Sequence, residues 1–352
     1  MARRTRSSRK KRGSGCFGLL VAALFVVVLA GGAGAAWLVL TPYGPETETF
    51  VTLTPGSSTA RMGEALESAG IIRSRYAFDL VRLWKRGTLK AGEYRFDHRA
   101  PVTEVYNRIA RGDVFTLSVT IPEGANMFEA AVKLEQAGLD GGQDFVDAVT
   151  NHRELVADLD PGAKDLEGYL FPDTYHFARR ASATQIAGTM VRRFRAIAGQ
   201  LGLTQVGLRG NLHNVVTLAS LVERETAVDA ERPLVASVFA NRLSKKMPLM
   251  TDPSVIYGLE LEGRWRGTIY ASDLKRDTPY NTYLHAGLPP GPIANPGMKS
   301  LRAAMEPAAS DFLYFVAAGA NPQGHSIFSR TLAEQSKAVA GYRHSVKKAG
   351  GR

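Results

Sequence analysis

The hydrophobic pattern of the chain changes character at two points near its start. Residues 16–40 (CFGLLVAALFVVVLAGGAGAAWLVL) are uncharged and almost wholly apolar, and they exceed the ~20 residues a helix needs to cross a bilayer. This run predicts a transmembrane helix. Pro42, Gly44 and Pro45 then mark residues 41–48 as a short linker. From Phe50 the apolar positions become periodic. Phe50-Val51-Thr52-Leu53 alternates as a strand does, Met62, Leu66 and Ala69 repeat at helical spacing around residues 60–68, and Tyr76, Leu80, Leu83 and Trp84 define a second helix. Residues 89–96 return as a strand, which closes a strand-helix-helix-strand unit over 49–98.

An echo of this unit follows. Val119-Thr120-Ile121-Pro122-Glu123-Gly124 repeats the theme of Val51-Thr52-Leu53-Thr54-Pro55-Gly56, and the interval from Gly124 to Gly138 matches that from Gly56 to Gly70. Either the module is duplicated or a common strand-turn-helix arrangement occurs twice. Further along, the spacing predicts helices over 144–159, 183–201, 212–226, 234–243 and 298–305, with a buried strand over 312–316. Residues 165–175 form an aromatic loop or strand, and 251–297, dense in Pro, Gly, Tyr and Asn, read as loops. The class is α+β. The expected organisation is a basic tail (1–15), a membrane helix (16–40), a linker (41–48), a small module (49–98), a larger mixed domain (99–346) and a disordered end (347–352).

Charge sharpens the topology. The net charge is +11, but Arg3, Arg4, Arg6, Arg9, Lys10, Lys11 and Arg12 crowd the N-terminus and leave a mildly basic body, which argues against nucleic acid as a partner. Basic residues gather on the cytoplasmic side of membrane helices, so the N-terminus is expected inside and the chain beyond Thr41 outside the cytoplasmic membrane. The alternative is a cleaved signal peptide, since Ala33-Gly34-Ala35-Ala36 offers small residues for processing; the apolar run is longer than the ~7 to 15 residue core of such peptides. Cys16 stands at the start of the run and not after it, which is the wrong order for a lipoprotein acceptor. A single cysteine also leaves no intramolecular disulfide.

Few chemistries survive inspection. His-Glu-x-x-His is absent and the seven histidines are scattered, so neither a metal nor another cofactor is expected. Phosphate-cradling glycine loops and Gly-x-Ser-x-Gly do not occur after residue 40. The sharpest signal is Glu223-Arg224-Glu225 at the end of an apolar helix. Two carboxylates two positions apart do not share a face, so they cannot work as a facing pair. Glu225 has Leu221 and Val222 at i−4 and i−3, where Glu223 has Ala219 and Ser220, so desolvation should hold the Glu225 proton more strongly, as a general acid requires. Tyr257, Trp265, Tyr270, Tyr280, Asn281 and Tyr283 offer ring faces and amides suited to sugars, with Asp252 as another carboxylate in the same region. A stiff loop that packs its aromatics inward is the competing reading.

These segments together resemble the YceG-like endolytic murein transglycosylase (MltG) family. The matching blocks, in order, include residues 90–94 (KAGEY), 167–174 (EGYLFPDT), 218–226 (LASLVERET), 235–243 (VASVFANRL), 251–258 (TDPSVIYG), 280–283 (YNTY), 287–297 (GLPPGPIANPG) and 313–317 (LYFVA). The resemblance implies a single-pass inner-membrane protein with a LysM-like module over 49–98 and a catalytic domain over 99–346. It implies cleavage within peptidoglycan strands between MurNAc and GlcNAc, leaving 1,6-anhydro-MurNAc ends, with Glu225 as the acid and Glu223 as second choice. Tyr257, Asp252, Tyr280 and Asn281 are the expected substrate-binding residues. Peptidoglycan synthases are candidate partners, although no residue names one. A hydrolytic muramidase and a non-catalytic peptidoglycan-binding scaffold remain the alternatives.

Overall fold

The computed structural model describes residues 14–208, 212–320 and 324–350; the basic cluster before Ser14 lies outside them. Two compact units emerge, one ending at Thr116 and the other beginning at Leu117. In the first, α1 (Ser14–Leu40) is followed by β1 (Thr49–Leu53), α2 (Thr59–Ser68), α3 (Arg75–Lys85), β2 (Gly92–Phe96) and α4 (Val102–Arg111). Within α1, Gly18–Leu40 is long and apolar enough to cross a membrane. β1 and β2 pair antiparallel, with Val51 opposite Tyr94. Val51, Leu53, Leu66, Phe78, Tyr94 and Phe96 share one core with Val105, Tyr106 and Ile109 of α4. That shared core carries the unit past residue 98, where the sequence had placed its end.

The α3 helix forms where expected but faces the other way. Ala77, Phe78 and Val81 are its buried residues, while Tyr76, Leu80, Leu83 and Trp84, whose spacing predicted the helix, are exposed.

The second unit opens with a copy of the same architecture. β3 (Leu117–Thr120), α5 (Met127–Gln136), α6 (Gly142–Asn151) and β4 (Thr174–Phe177) again run strand, helix, helix, strand, and β3 pairs antiparallel with β4. The details repeat. Ser58 and Asn126 cap α2 and α5, each accepting a backbone N–H three residues on, and Gly56 and Gly124 share a left-handed φ of 78° and 79° in the turns before them. A side-chain cap satisfies one of the orphan donors of a first turn.

The rest of this unit is α7 (Ala183–Gln200), α8 (Leu203–Leu208), α9 (Leu212–Glu225), α10 (Arg232–Ser244), α11 (Asp252–Leu261), α12 (Met298–Met305), the hairpin of β5 (Tyr314–Ala317) and β6 (Ser326–Ser329), and α13 (Leu332–Gly350). Three expectations are corrected here. The region 251–297 contains α11, started by proline in its first turn, where a missing N–H costs nothing. The strand at 314–317 is half-buried rather than buried. The tail expected to be disordered from Lys347 continues as helix to Gly350.

One buried polar cluster joins distant blocks of the second unit. The Asn295 carboxamide oxygen accepts from the Gly168 and Leu170 amides at 2.9 Å each, and its nitrogen donates to Glu167 at 2.7 Å and to the Ala125 carbonyl at 2.9 Å. Glu167 also accepts from the Met127 amide at 2.8 Å. Gly168 is required, because its φ is +88° and a Cβ there would stand 2.5 Å from Pro292. Burial pushes the Glu167 carboxyl up from 4.5 to about 8. The folded state therefore keeps this proton where the unfolded chain has lost it. Its contribution to stability is present in full below pH 4.5 and is lost as pH rises to about 8, at up to roughly 1.4 kcal/mol per pH unit. Thermal melts across this window should show the decline, and Glu167→Gln should flatten it.

Candidate active site

The site is built at the C-terminal end of α9. Val216, Leu218, Ala219, Leu221 and Val222 all belong to the main core, so the final turn of the helix is held by packing and its two carboxylates are fixed in place.

Glu223 points into structure. Its side chain is 4% exposed and receives Arg232 Nη1 at 2.9 Å, while its other oxygen accepts the Gly297 amide at 2.9 Å. Gly297 is the N-cap of α12, so the carboxylate also sits at the positive end of that helix. Arg232, 6% exposed, completes the knot by donating to the Thr226 carbonyl and to Ser300, both at 3.1 Å, and to Asp229 at 3.2 Å. A carboxylate with both oxygens committed is a brace for the helix end.

Glu225 is shielded from bulk solvent but borders two cavities. It lines a cavity of about 530 Å³ together with Glu123, Glu223, Thr226 and Arg232, and a second of about 200 Å³ with Arg242, Met250, Asp252, Tyr283 and Phe315. Burial raises its pKa above 4.5, and the Asp252 charge adds to that, whereas the Thr251 hydroxyl and the Arg242 guanidinium pull it down. Desolvation and a like charge both favour the protonated form. Glu225 is thus biased towards the form that can donate a proton.

Fixed groups frame it. Arg242 donates to the carbonyls of Leu313 at 2.7 Å and Leu249 at 2.8 Å, so its positive charge cannot swing away. Asp252, the first residue of α11, accepts from the Tyr283 hydroxyl at 2.6 Å. Met250 holds a left-handed φ of 52°, unusual for a residue with a side chain, and its amide donates to the Thr282 carbonyl at 3.1 Å. On the far side, Glu123 comes from the turn after β3. Its pKa is raised by burial and by the Glu223 charge.

Of the residues chosen from sequence, the structure brings Asp252 to Glu225 and leaves three elsewhere. Asn281 is fully buried, donates to the carbonyls of Leu274 and Arg276 at 3.0 and 2.7 Å, and accepts the Tyr283 amide at 3.0 Å. It holds the loop that presents Tyr283. Tyr257 is 1% exposed and packs edge-on against Tyr280, their centroids 5.1 Å apart. None of the three is among the residues that line either cavity beside Glu225; Tyr257 and Asn281 are buried, and Tyr280 is half-buried against the core. Arg242 and Glu123 are residues the sequence did not single out, and Tyr283 was among the aromatic candidates of its loop but not among the four expected substrate-binding residues. Arg242 and Tyr283 lie within blocks 235–243 and 280–283, so the signal was in those blocks, but only the fold shows which members face the cleft.

A shielded carboxylic acid bordering a cleft, framed by an anchored arginine and a second carboxylate, has the parts that acid-base catalysis needs. The comparisons with known proteins narrow the class. The sequence model of the YceG-like family matches residues 51–341, and the chain belongs to that family. It is 32% identical over 317 residues to the endolytic murein transglycosylase of Bacillus subtilis (strain 168), covering 84% of this chain and 85% of that protein. The endolytic murein transglycosylase of Streptococcus pneumoniae serotype 2 (strain D39) is 30% identical over 79% of this chain, which spans 56% of that longer protein. A 2.6 Å crystal structure of a YceG-like protein from Listeria monocytogenes matches with a TM-score of 0.56 at 30% identity, covering 83% of this chain and 99% of that one.

Proposed function

We propose that this protein is an endolytic peptidoglycan lytic transglycosylase that cleaves between MurNAc and GlcNAc and leaves 1,6-anhydro-MurNAc ends, with Glu225 as its single acid-base catalyst. The observation that supports the assignment is the division of labour on α9: both carboxylates border the larger cavity, but Glu223 is locked to Arg232 and Gly297, whereas Glu225 also lines the second cavity beside Arg242 and Asp252 and has a raised pKa. Protonated Glu225 donates to the bridging oxygen as the C1–O bond breaks. The resulting carboxylate then takes the proton of the muramic 6-hydroxyl as that oxygen attacks C1. The proton lost in the first step is regained in the second, and no water is consumed.

This balance separates the reaction from hydrolysis. Digestion in isotopically heavy water should leave the new muramic ends unlabelled, and incorporation of one heavy oxygen per cut would identify a muramidase instead. The pH profile tests the electrostatics. The alkaline limb of kcat/KM follows the loss of the Glu225 proton. Asp252 holds that pKa up, so Asp252→Asn should move the limb to lower pH. A limb that stays in place would detach Asp252 from the acid.

The apolar α1 suits a single-pass anchor, and the basic residues before it support an N-terminus inside the inner membrane. The strand-helix-helix-strand order of the first unit supports a LysM-like, glycan-holding role for it. An anchored enzyme meets strands as they are extruded, which fits release or termination of nascent glycan and makes the synthases that extend them its natural partners.

A further inference from the structure

The outward face of α3 combines features that point to lipid. Tyr76, Leu80, Leu83 and Trp84 are 65%, 48%, 69% and 74% exposed, and a contiguous apolar face of this kind marks a binding surface. Its position selects the occupant. Leu80 and Trp84 line a cavity of about 310 Å³ with Ala35, Ala36, Val39 and Leu40 at the end of α1. The 23-residue stretch Gly18–Leu40 is about 34 Å long at a rise of ~1.5 Å per residue, slightly more than the ~30 Å of bilayer hydrocarbon. Residues 35–40, and α3 beside them, therefore fall at the boundary between acyl chains and headgroups. Trp37, 53% exposed, occupies the same level.

The remaining chemistry suits that boundary. Tryptophan and tyrosine concentrate at membrane interfaces, and basic side chains on the flank of an amphipathic helix attract anionic headgroups. Arg82 and Lys85 occupy the last turn of α3, exposed Arg86 follows, and the Lys85 ammonium lies 5.7 Å from the Trp84 ring centre. We infer that α3 lies in the headgroup region of the membrane that α1 crosses, with Tyr76, Leu80, Leu83 and Trp84 seated against lipid. The first unit is then held to the bilayer at two places, which fixes its orientation where a single flexible tether would not. The inference requires α1 to span the membrane and is independent of the proposed chemistry.

The full chain contains three tryptophans, so the variant Trp37→Phe/Trp265→Phe leaves Trp84 as the only reporter. It is reconstituted in bilayers of phosphatidylglycerol and phosphatidylethanolamine brominated near the headgroup end of their chains. Trp84 emission should be blue-shifted and strongly quenched, and adding Leu80→Ser and Leu83→Ser should restore much of it. Trp84→Phe/Trp265→Phe reports Trp37 in parallel as a control for insertion of α1. Quenching of Trp37 without quenching of Trp84 overturns the docking of α3 and leaves the anchor standing; quenching of neither overturns both. Shielding of Trp84 that depends on added protein rather than on lipid would make the face a protein interface and also overturn the inference.

Discussion

Glu225→Gln should lower the rate of strand cleavage by on the order of 10² to 10⁴-fold, the range supplied by a positioned proton donor, while the protein folds as before. The amide keeps the shape of the side chain and removes only the exchangeable acid. Stability should hold or rise slightly, because the native environment already works against the ionised form through burial and the Asp252 charge. Retention of peptidoglycan binding would distinguish lost chemistry from lost affinity. A variant that cuts at the wild-type rate would move the acid elsewhere, and one that binds normally without ever having had a measurable wild-type rate to lose would favour a scaffold.

Arg232→Ala carries the largest expected loss of stability. It strands Glu223, whose side chain is 4% exposed, without its cation, and leaves the Thr226 carbonyl and Ser300 without their donor. Removing one partner of a buried pair costs about 3–5 kcal/mol, which for a unit of this size corresponds to a fall in melting temperature of roughly 10 °C. Lys299→Ala offers an internal comparison. Lys299 pairs with Asp229 on the surface, both more than half exposed, and exposed pairs contribute about 0–1 kcal/mol. Calorimetry should therefore separate the two variants clearly. Equal melting temperatures would mean that the brace does not hold α9 in place.

Much of the fold was legible because local chemistry determined it. The turn glycines and the repeated strand-turn theme announce the paired strand-helix units from sequence alone, and the structure builds both alike, with Ser58 and Asn126 as matching caps. Periodicity found α3 but not its inward face: the small residues Ala77 and Val81 with Phe78 fill the core, and the larger apolar side chains remain outside. Spacing reports that a stripe exists, and only the partners of the helix decide which stripe is buried. α11 was hidden for a related reason. The proline and glycine content of 251–297 reads as loop, although Asp252-Pro253 is itself a helix start.

The site shows the same division. Glu225 was preferred over Glu223 on the strength of its apolar neighbours along α9, and the structure supplies a stronger reason that local sequence does not contain. Arg232 and Gly297 reach Glu223 from α10 and from the segment before α12, and those long-range partners are what occupy it. Tyr257 and Asn281 have the right chemistry for a sugar cleft, but both are buried, and half-buried Tyr280 packs its ring edge-on against Tyr257. Tyr283, two positions from Asn281, is the residue that reaches Asp252 at the cleft.

The central claim is that Glu225 alone serves as acid and then base in a cleavage that consumes no water. Mass spectrometry of glycan strands digested by the full-length wild-type protein and by Glu225→Gln tests it most directly. The account predicts muramic ends lighter by one water from the wild type and none from the variant. Reducing ends from the wild type, or anhydro ends still formed by Glu225→Gln, would contradict it.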